Sequence, residues 1–191
     1  MRLALIALSV VAVAGLGRAG IAQIAPKAAP AVVDSMIDAT FKGAPADWQA
    51  RIKQDETQKA CSEYKNVLPA AEFQKVLARE KANVVFPADG KVIGDWKAGE
   101  QFAQSGRGGQ FSDKAGAIGG GNCYACHQLS KAELSFGTMG PPLVEYGKIR
   151  KYSADDAKSA YIKIYNAQAV FPCSNMPRLG HSKHLTEQQI K

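Results

Sequence analysis

Apolar positions recur at helical spacing in stretches separated by breaks rich in proline and glycine. From Pro45, Trp48, Ile52 and Cys61 follow a roughly helical period, and the proline suits a first helical turn, so a helix is predicted there. Ala70 to Ala82 predicts a second helix with Phe73, Val76 and Leu77 as its stripe, ended by Phe86-Pro87-Ala88-Asp89-Gly90. Asp95 caps a short helix reaching about Gln104 and placing Trp96, Gly99 and Phe102 to one side. Ser153-Ala154-Asp155-Asp156 reads as a capped start whose acidic residues favour the helix N-terminus. That helix is expected to reach about Gln168, with Ala157, Ala160, Tyr161, Ile164 and Tyr165 inward, before Phe171-Pro172-Cys173 ends it. Thr186-Glu187-Gln188-Gln189 has capping-box spacing and opens a last helix just before Lys191. The fold class predicted is all-α.

The first residues differ in kind. Met1-Arg2 is followed by an apolar run from Leu3 to Leu16, the length of a signal-peptide core and short of the roughly 20 residues a bilayer span needs. Small residues at Gly20 and Ala22 place cleavage after Ala22, giving a signal peptide over 1–22, a periplasmic mature protein and no membrane association after cleavage. Residues 23–33, with Pro26, Pro30 and four alanines, read as a flexible lead-in. The division expected is an N-terminal helical extension over 23–90, without a chemical motif, and a second domain over 91–191.

The formal charge of +7 falls by the charges of Arg2 and Arg18 once the leader is gone. A modest positive balance suits acidic partner proteins. The 24 lysines and arginines are scattered without a long run, so no nucleic-acid partner is expected. Gly106, Gly108, Gly109, Gly116, Gly119, Gly120 and Gly121 form a glycine-rich stretch, but neither nucleotide-binding glycine pattern is present. A flexible loop that brings backbone close to a flat cofactor is expected instead.

Cys123-Tyr124-Ala125-Cys126-His127 carries the chemistry. Cys-x-x-Cys-His is the attachment pattern of c-type haem. Two thiols at this spacing can add to the two vinyl groups of one porphyrin, and the next histidine is then held where its Nε2 reaches iron. A haem histidine is oriented by a hydrogen bond from its other ring nitrogen. The turn Gly140-Pro141-Pro142, 14 residues after His127, is the expected acceptor.

A second axial ligand is sought among a few residues. Met176 lies 49 residues after His127 in the polar loop Asn175-Met176-Pro177-Arg178-Leu179-Gly180, and methionine ligation raises an iron's reduction potential. Met139, close to the haem motif, is expected to pack in the pocket. His181 and His184 read as a surface pair. Cys61 and Cys173 remain as an even pair in an exported chain. A disulfide between them, an axial Cys173 thiolate and a free redox-active thiol are all open; a disulfide would restrain the loop bearing Met176.

With the Gly140-Pro141-Pro142-Leu143 turn and Asn175-Met176-Pro177, the pentapeptide resembles the class I c-type cytochromes. The resemblance implies a small all-α fold around one covalent haem c held by Cys123 and Cys126. It implies axial ligands His127 and Met176, and a Pro141 carbonyl set against the histidine. Gly121-Asn122 before the motif, and Tyr146-Gly147 to Tyr165 after it, resemble SoxX subunits over roughly residues 95–191. SoxX pairs with a SoxA cytochrome, and the heterodimer, an L-cysteine S-thiosulfotransferase, couples thiosulfate oxidatively to a cysteine of the SoxYZ carrier. In that frame this chain is a non-catalytic electron-transfer subunit, with no catalytic residue of its own, passing electrons to a downstream cytochrome c. A free-standing periplasmic electron carrier and an open-site haem enzyme are the alternatives. The extension and the glycine-rich insertion are extra to a minimal cytochrome, and the C-terminal helix of the family is expected to be cut short here.

Overall fold

The computed structural model describes residues 29–191 apart from Phe111, Ala115, Gly116 and Ile118, so the expected leader and most of the lead-in lie outside the described residues. Among the described residues every regular element is helical and no strand occurs. None of these helices is long and apolar enough to cross a membrane.

Helix α1 (Pro30–Thr40) buries none of its residues. The helix expected from Pro45 is two: α2 (Ala46–Ile52) and α3 (Glu56–Glu63). The division is made by Asp55, whose carboxylate accepts from the Gln58 amide while the Gln58 side chain accepts from the Asp55 amide. This reciprocal cap restarts the helix and was not read in the sequence. Helix α4 (Ala70–Ala82) has the expected bounds. Val76 lies within its stripe at 1% exposure, but the stripe continues to Glu80, a carboxylate 2% exposed.

Helix α5 (Trp96–Gln104) starts where Asp95 accepts from the Lys97 amide. A one-turn helix, α6 (Tyr146–Ile149), precedes α7 (Ala154–Tyr165), which Ser153 caps as expected by accepting from the Asp156 amide. Helix α7 stops short of Gln168. Asn166 leaves the helical region, its side chain accepts from the Gln168 amide, and a 3₁₀ turn follows at Ala167–Ala169. The expected capping box at Thr186 opens α8 (Glu187–Ile190).

Two cores result. In one, Tyr161, Leu179, Leu185 and Ile190 pack together with Val92, Ile164 and Tyr165 at their edge. Phe86 stacks on Tyr161, whose hydroxyl donates to the Val85 carbonyl. Helix α8 meets α5 and α7 there. In the other, α4 packs on the 3₁₀ turn through Val76, Ala167 and Ala169, beside Cys61 of α3. Helices α3 and α4 are thus joined to the chain's last third.

Candidate functional site

Cys123–Ala125 form a 3₁₀ turn entered through Asn122, which sits in the left-handed region at φ 49°. The Cys126 and His127 amides both donate to the Cys123 carbonyl, at 3.1 and 2.9 Å. The five-residue motif is therefore one tight turn, presenting two free thiols and an imidazole from adjacent positions. Burial pushes the Cys123 thiol above its ordinary pKa.

A second strand of chain runs beside this turn. Gly137 donates to the Tyr124 carbonyl, Gly140 to Cys126 and Leu143 to Gln128, each at 2.8 Å. This ladder puts the Pro141 carbonyl 2.7 Å from His127 Nδ1. A carbonyl oxygen can only accept, so Nδ1 carries the proton and Nε2 keeps its lone pair free to bind a metal. Gly140 has to be glycine, because a Cβ there would fall 2.2 Å from His127 Cε1. The imidazole is thus held by a carbonyl at one atom and backed by bare main chain. Met139, expected to pack inward, is 73% exposed. It lies between the two anchored glycines, where the loop has no ladder bond to draw it in.

The glycine-rich stretch, of which Gly116 lies outside the described residues, folds against α5 and His184. Gly120, Gly121 and Asn122 donate to the carbonyls of Arg107, Phe102 and Ser105, folding the stretch back on the end of α5. Gly119 packs against His184, where a Cβ would come within 2.7 Å of the ring. His184 Nε2 lies 2.9 Å from the Gly120 carbonyl. His181 and His184 are therefore not a bare surface pair: both are half-buried, and His184 joins the methionine side to the chain leading into the haem motif.

Met176 is half-buried, with its amide on Ser174 Oγ at 3.2 Å. Cys173 is disulfide-bonded to Cys61, which leaves no thiol there for an axial or redox role. The residues after Met176 carry partners that sequence reasoning missed. Arg178, 11% exposed, places one guanidinium nitrogen 2.6 Å from Asp55 and another 3.3 Å from Glu80. Glu80 also accepts from Asn166 at 2.7 Å and from the Thr57 hydroxyl, and Thr57 accepts from Arg79. Burial pushes the Glu80 carboxyl up, but the bonds from Asn166 and Thr57 and the charge of Arg178 outweigh it and hold the group below its ordinary pKa. The available signal was a glutamate on the apolar face of α4, seven residues after Phe73.

Among the described residues no group of three His, Cys, Asp or Glu side chains converges as a metal site. The groups that could hold the expected haem are the two free thiols of Cys123 and Cys126 and the oriented imidazole of His127. Exposed apolar side chains within the same segments, Tyr124, Leu134 and Phe136, suit the edge of a flat apolar group.

No family model matches the chain. An uncharacterized lipoprotein of Aquifex aeolicus (strain VF5) is 36% identical over 146 residues, spanning 74% of this chain and 68% of that protein. The chain belongs to the same family as that lipoprotein.

Proposed function

We propose that this chain is an exported monohaem c-type cytochrome of the class I fold that relays electrons. The observation that carries the reading is the His127 Nδ1–Pro141 carbonyl bond at 2.7 Å, directly after Cys123 and Cys126. It fixes the tautomer and direction of an axial histidine. Cys123 and Cys126 would hold the haem, and His127 and Met176 would supply ligands to its iron. When bound, the haem supplies a one-electron iron centre. Ligation by both would leave that iron no open position for substrate and would raise its potential, which suits relay rather than turnover. The packing of α5 against α8 supports the same fold reading.

The role proposed is that of the SoxX-like subunit beside a SoxA-like cytochrome. It accepts electrons released when thiosulfate is joined to a cysteine of the SoxYZ carrier and passes them to a soluble cytochrome c. Helices α1–α4, beyond a minimal cytochrome, and the exposed Val32, Val33 and Met36 of α1 favour a docked subunit over a free carrier. The relative's name describes an exported protein. Export is the part of that description carried over to this chain.

Expression with haem-attachment machinery tests the reading. The expected protein keeps its haem through denaturation and, when oxidised, shows the red charge-transfer band of methionine-ligated ferric iron. Loss of the haem on denaturation overturns the cytochrome reading. A haem that stays attached but lacks the band and binds cyanide at once favours the open-site enzyme. Co-purification with a second cytochrome separates the subunit from the free carrier.

A further inference from the structure

Met176 lies between two attachments to the same pair of helices. Three residues before it, Cys173 is bonded to Cys61 of α3. Two residues after it, Arg178 reaches Asp55 at the start of α3 and Glu80 on α4. Helices α3 and α4 are themselves joined where the Thr57 hydroxyl donates to Glu80 and accepts from Arg79. Asn166, at the end of α7, donates to the same carboxylate, and Gln168 accepts from the Cys173 amide at 3.2 Å. The loop's exit is pinned as well, with the Gly180 and His181 amides both on the Tyr165 carbonyl at 3.0 Å.

A buried ion pair is a poor device for stability alone, because removing two charges from water offsets most of their attraction. An apolar filler would serve the core as well. A guanidinium instead supplies direction: its planar fork accepts only certain positions of two carboxylates, and the main chain that carries it is fixed in turn. Pro177 stands between Arg178 and Met176, so little backbone freedom separates the fork from the methionine. The charged groups facing Arg178 are Glu80 and Asp55, with Arg79 3.8 Å from Glu80 and His181 3.9 Å from Asp55.

We propose that Arg178, forked between Glu80 and Asp55, is the positioning residue that holds the Met176 sulfur at the iron, and that the N-terminal helices serve to carry its two carboxylates. The inference rests on the reading of Met176 as an axial ligand. It gives the helices α3 and α4, which carry no chemical motif, a role in setting the potential of the relay. Without the fork, the loop keeps its disulfide and the exit bonds to Tyr165 but loses the side-chain anchor two residues after Met176, and the weak iron–sulfur bond would open more often.

Arg178→Gln in the full-length haem-loaded protein tests this, with Arg178→Lys as the conservative partner. In Arg178→Gln the red charge-transfer band should weaken, the reduction potential should fall, and cyanide should bind about tenfold faster or more, the scale set by losing one charge-assisted hydrogen bond from the closed state. Covalent attachment and the reduced spectrum of histidine-bound haem should persist. Arg178→Lys, a single point charge in place of a fork, should restore part of the band and potential. If Arg178→Gln gives no folded protein, Arg178→Lys carries the test by the same three readings. Band, potential and cyanide rate unchanged from wild type in the folded variants overturn the inference while leaving Met176 as ligand. Absence of the band from the wild type overturns the Met176 reading and the inference with it.

Discussion

The two sides of the candidate site are built on different scales. On the proximal side, His127 and its acceptor Pro141 are 14 residues apart, and the ladder between them spans one short stretch of chain. On the methionine side, Arg178 meets Glu80 and Asp55 across 98 and 123 residues, and the disulfide closes across 112. A local structure is paid for by little loop closure and can form wherever its short segment is intact. A distal structure exists only once α3, α4 and the last third of the chain have come together. The orientation of His127 is therefore a property of a motif, whereas the placement of Met176 is a property of the whole fold.

This contrast can be broken by substitution. The largest stability loss is expected from Glu80→Ala, which leaves Arg178 and Asn166 facing an empty buried site. Removing one partner of a buried pair costs about 3–5 kcal/mol. Denaturant unfolding should register it, and a loss under about 1 kcal/mol would mean that the distal side does not depend on this carboxylate. Next, Cys61→Ser with Cys173→Ser should cost about 2–4 kcal/mol, because the bridge closes a long loop in the unfolded chain. Unfolding with and without reductant should then coincide for the variant and differ for the wild type.

The proximal side should respond in the opposite way. Gly140→Ala pushes a methyl into the His127 ring and should cost about 1–3 kcal/mol by overpacking, a smaller stability loss but a larger change in the haem spectrum than either distal variant. A normal histidine-bound spectrum in that variant would remove the ring's dependence on its glycine backing.

The smallest effect is set by acid. Both distal carboxylates are held low. For Asp55, burial pushes up, but the Gln58 amide and the bond and charge of Arg178 bring it below its ordinary 3.8. Glu80 lies below its ordinary 4.5. A carboxylate whose folded pKa is depressed contributes stability above its unfolded value and loses it as pH falls through the folded one. The contribution of these groups to thermal stability should therefore be full and independent of pH near neutrality and should fall with acidification below about pH 4.5, more shallowly in Asp55→Asn. Equal acid slopes in wild type and Asp55→Asn would remove Asp55 from the linkage.

The helices themselves were largely legible. Ala70–Ala82 and the caps at Asp95, Ser153 and Thr186 are local patterns, and the structure has them where the residues put them. The misreadings share a cause. Asp55 starts a new helix and Asn166 ends one because their short polar side chains bind backbone amides, a choice that apolar period alone does not show. Glu80 does not stand out in the stripe of Phe73, Val76 and Leu77, and His184 reads as a surface residue. Both are partnered by residues far along the chain.

By itself the sequence determined the helical class, the Cys123–Cys126–His127 motif and the proline turn that receives its histidine, because each depends on residues no more than 14 apart. It also named Cys61 and Cys173 as a pair without deciding their state. Only the tertiary structure decided that they are bridged, that Gly119 makes room for His184, and that Arg178 is forked between two carboxylates on helices without a motif. The physical reason is burial. A charge withdrawn from water must find its counter-charge wherever the fold brings one, and no local pattern records where that will be.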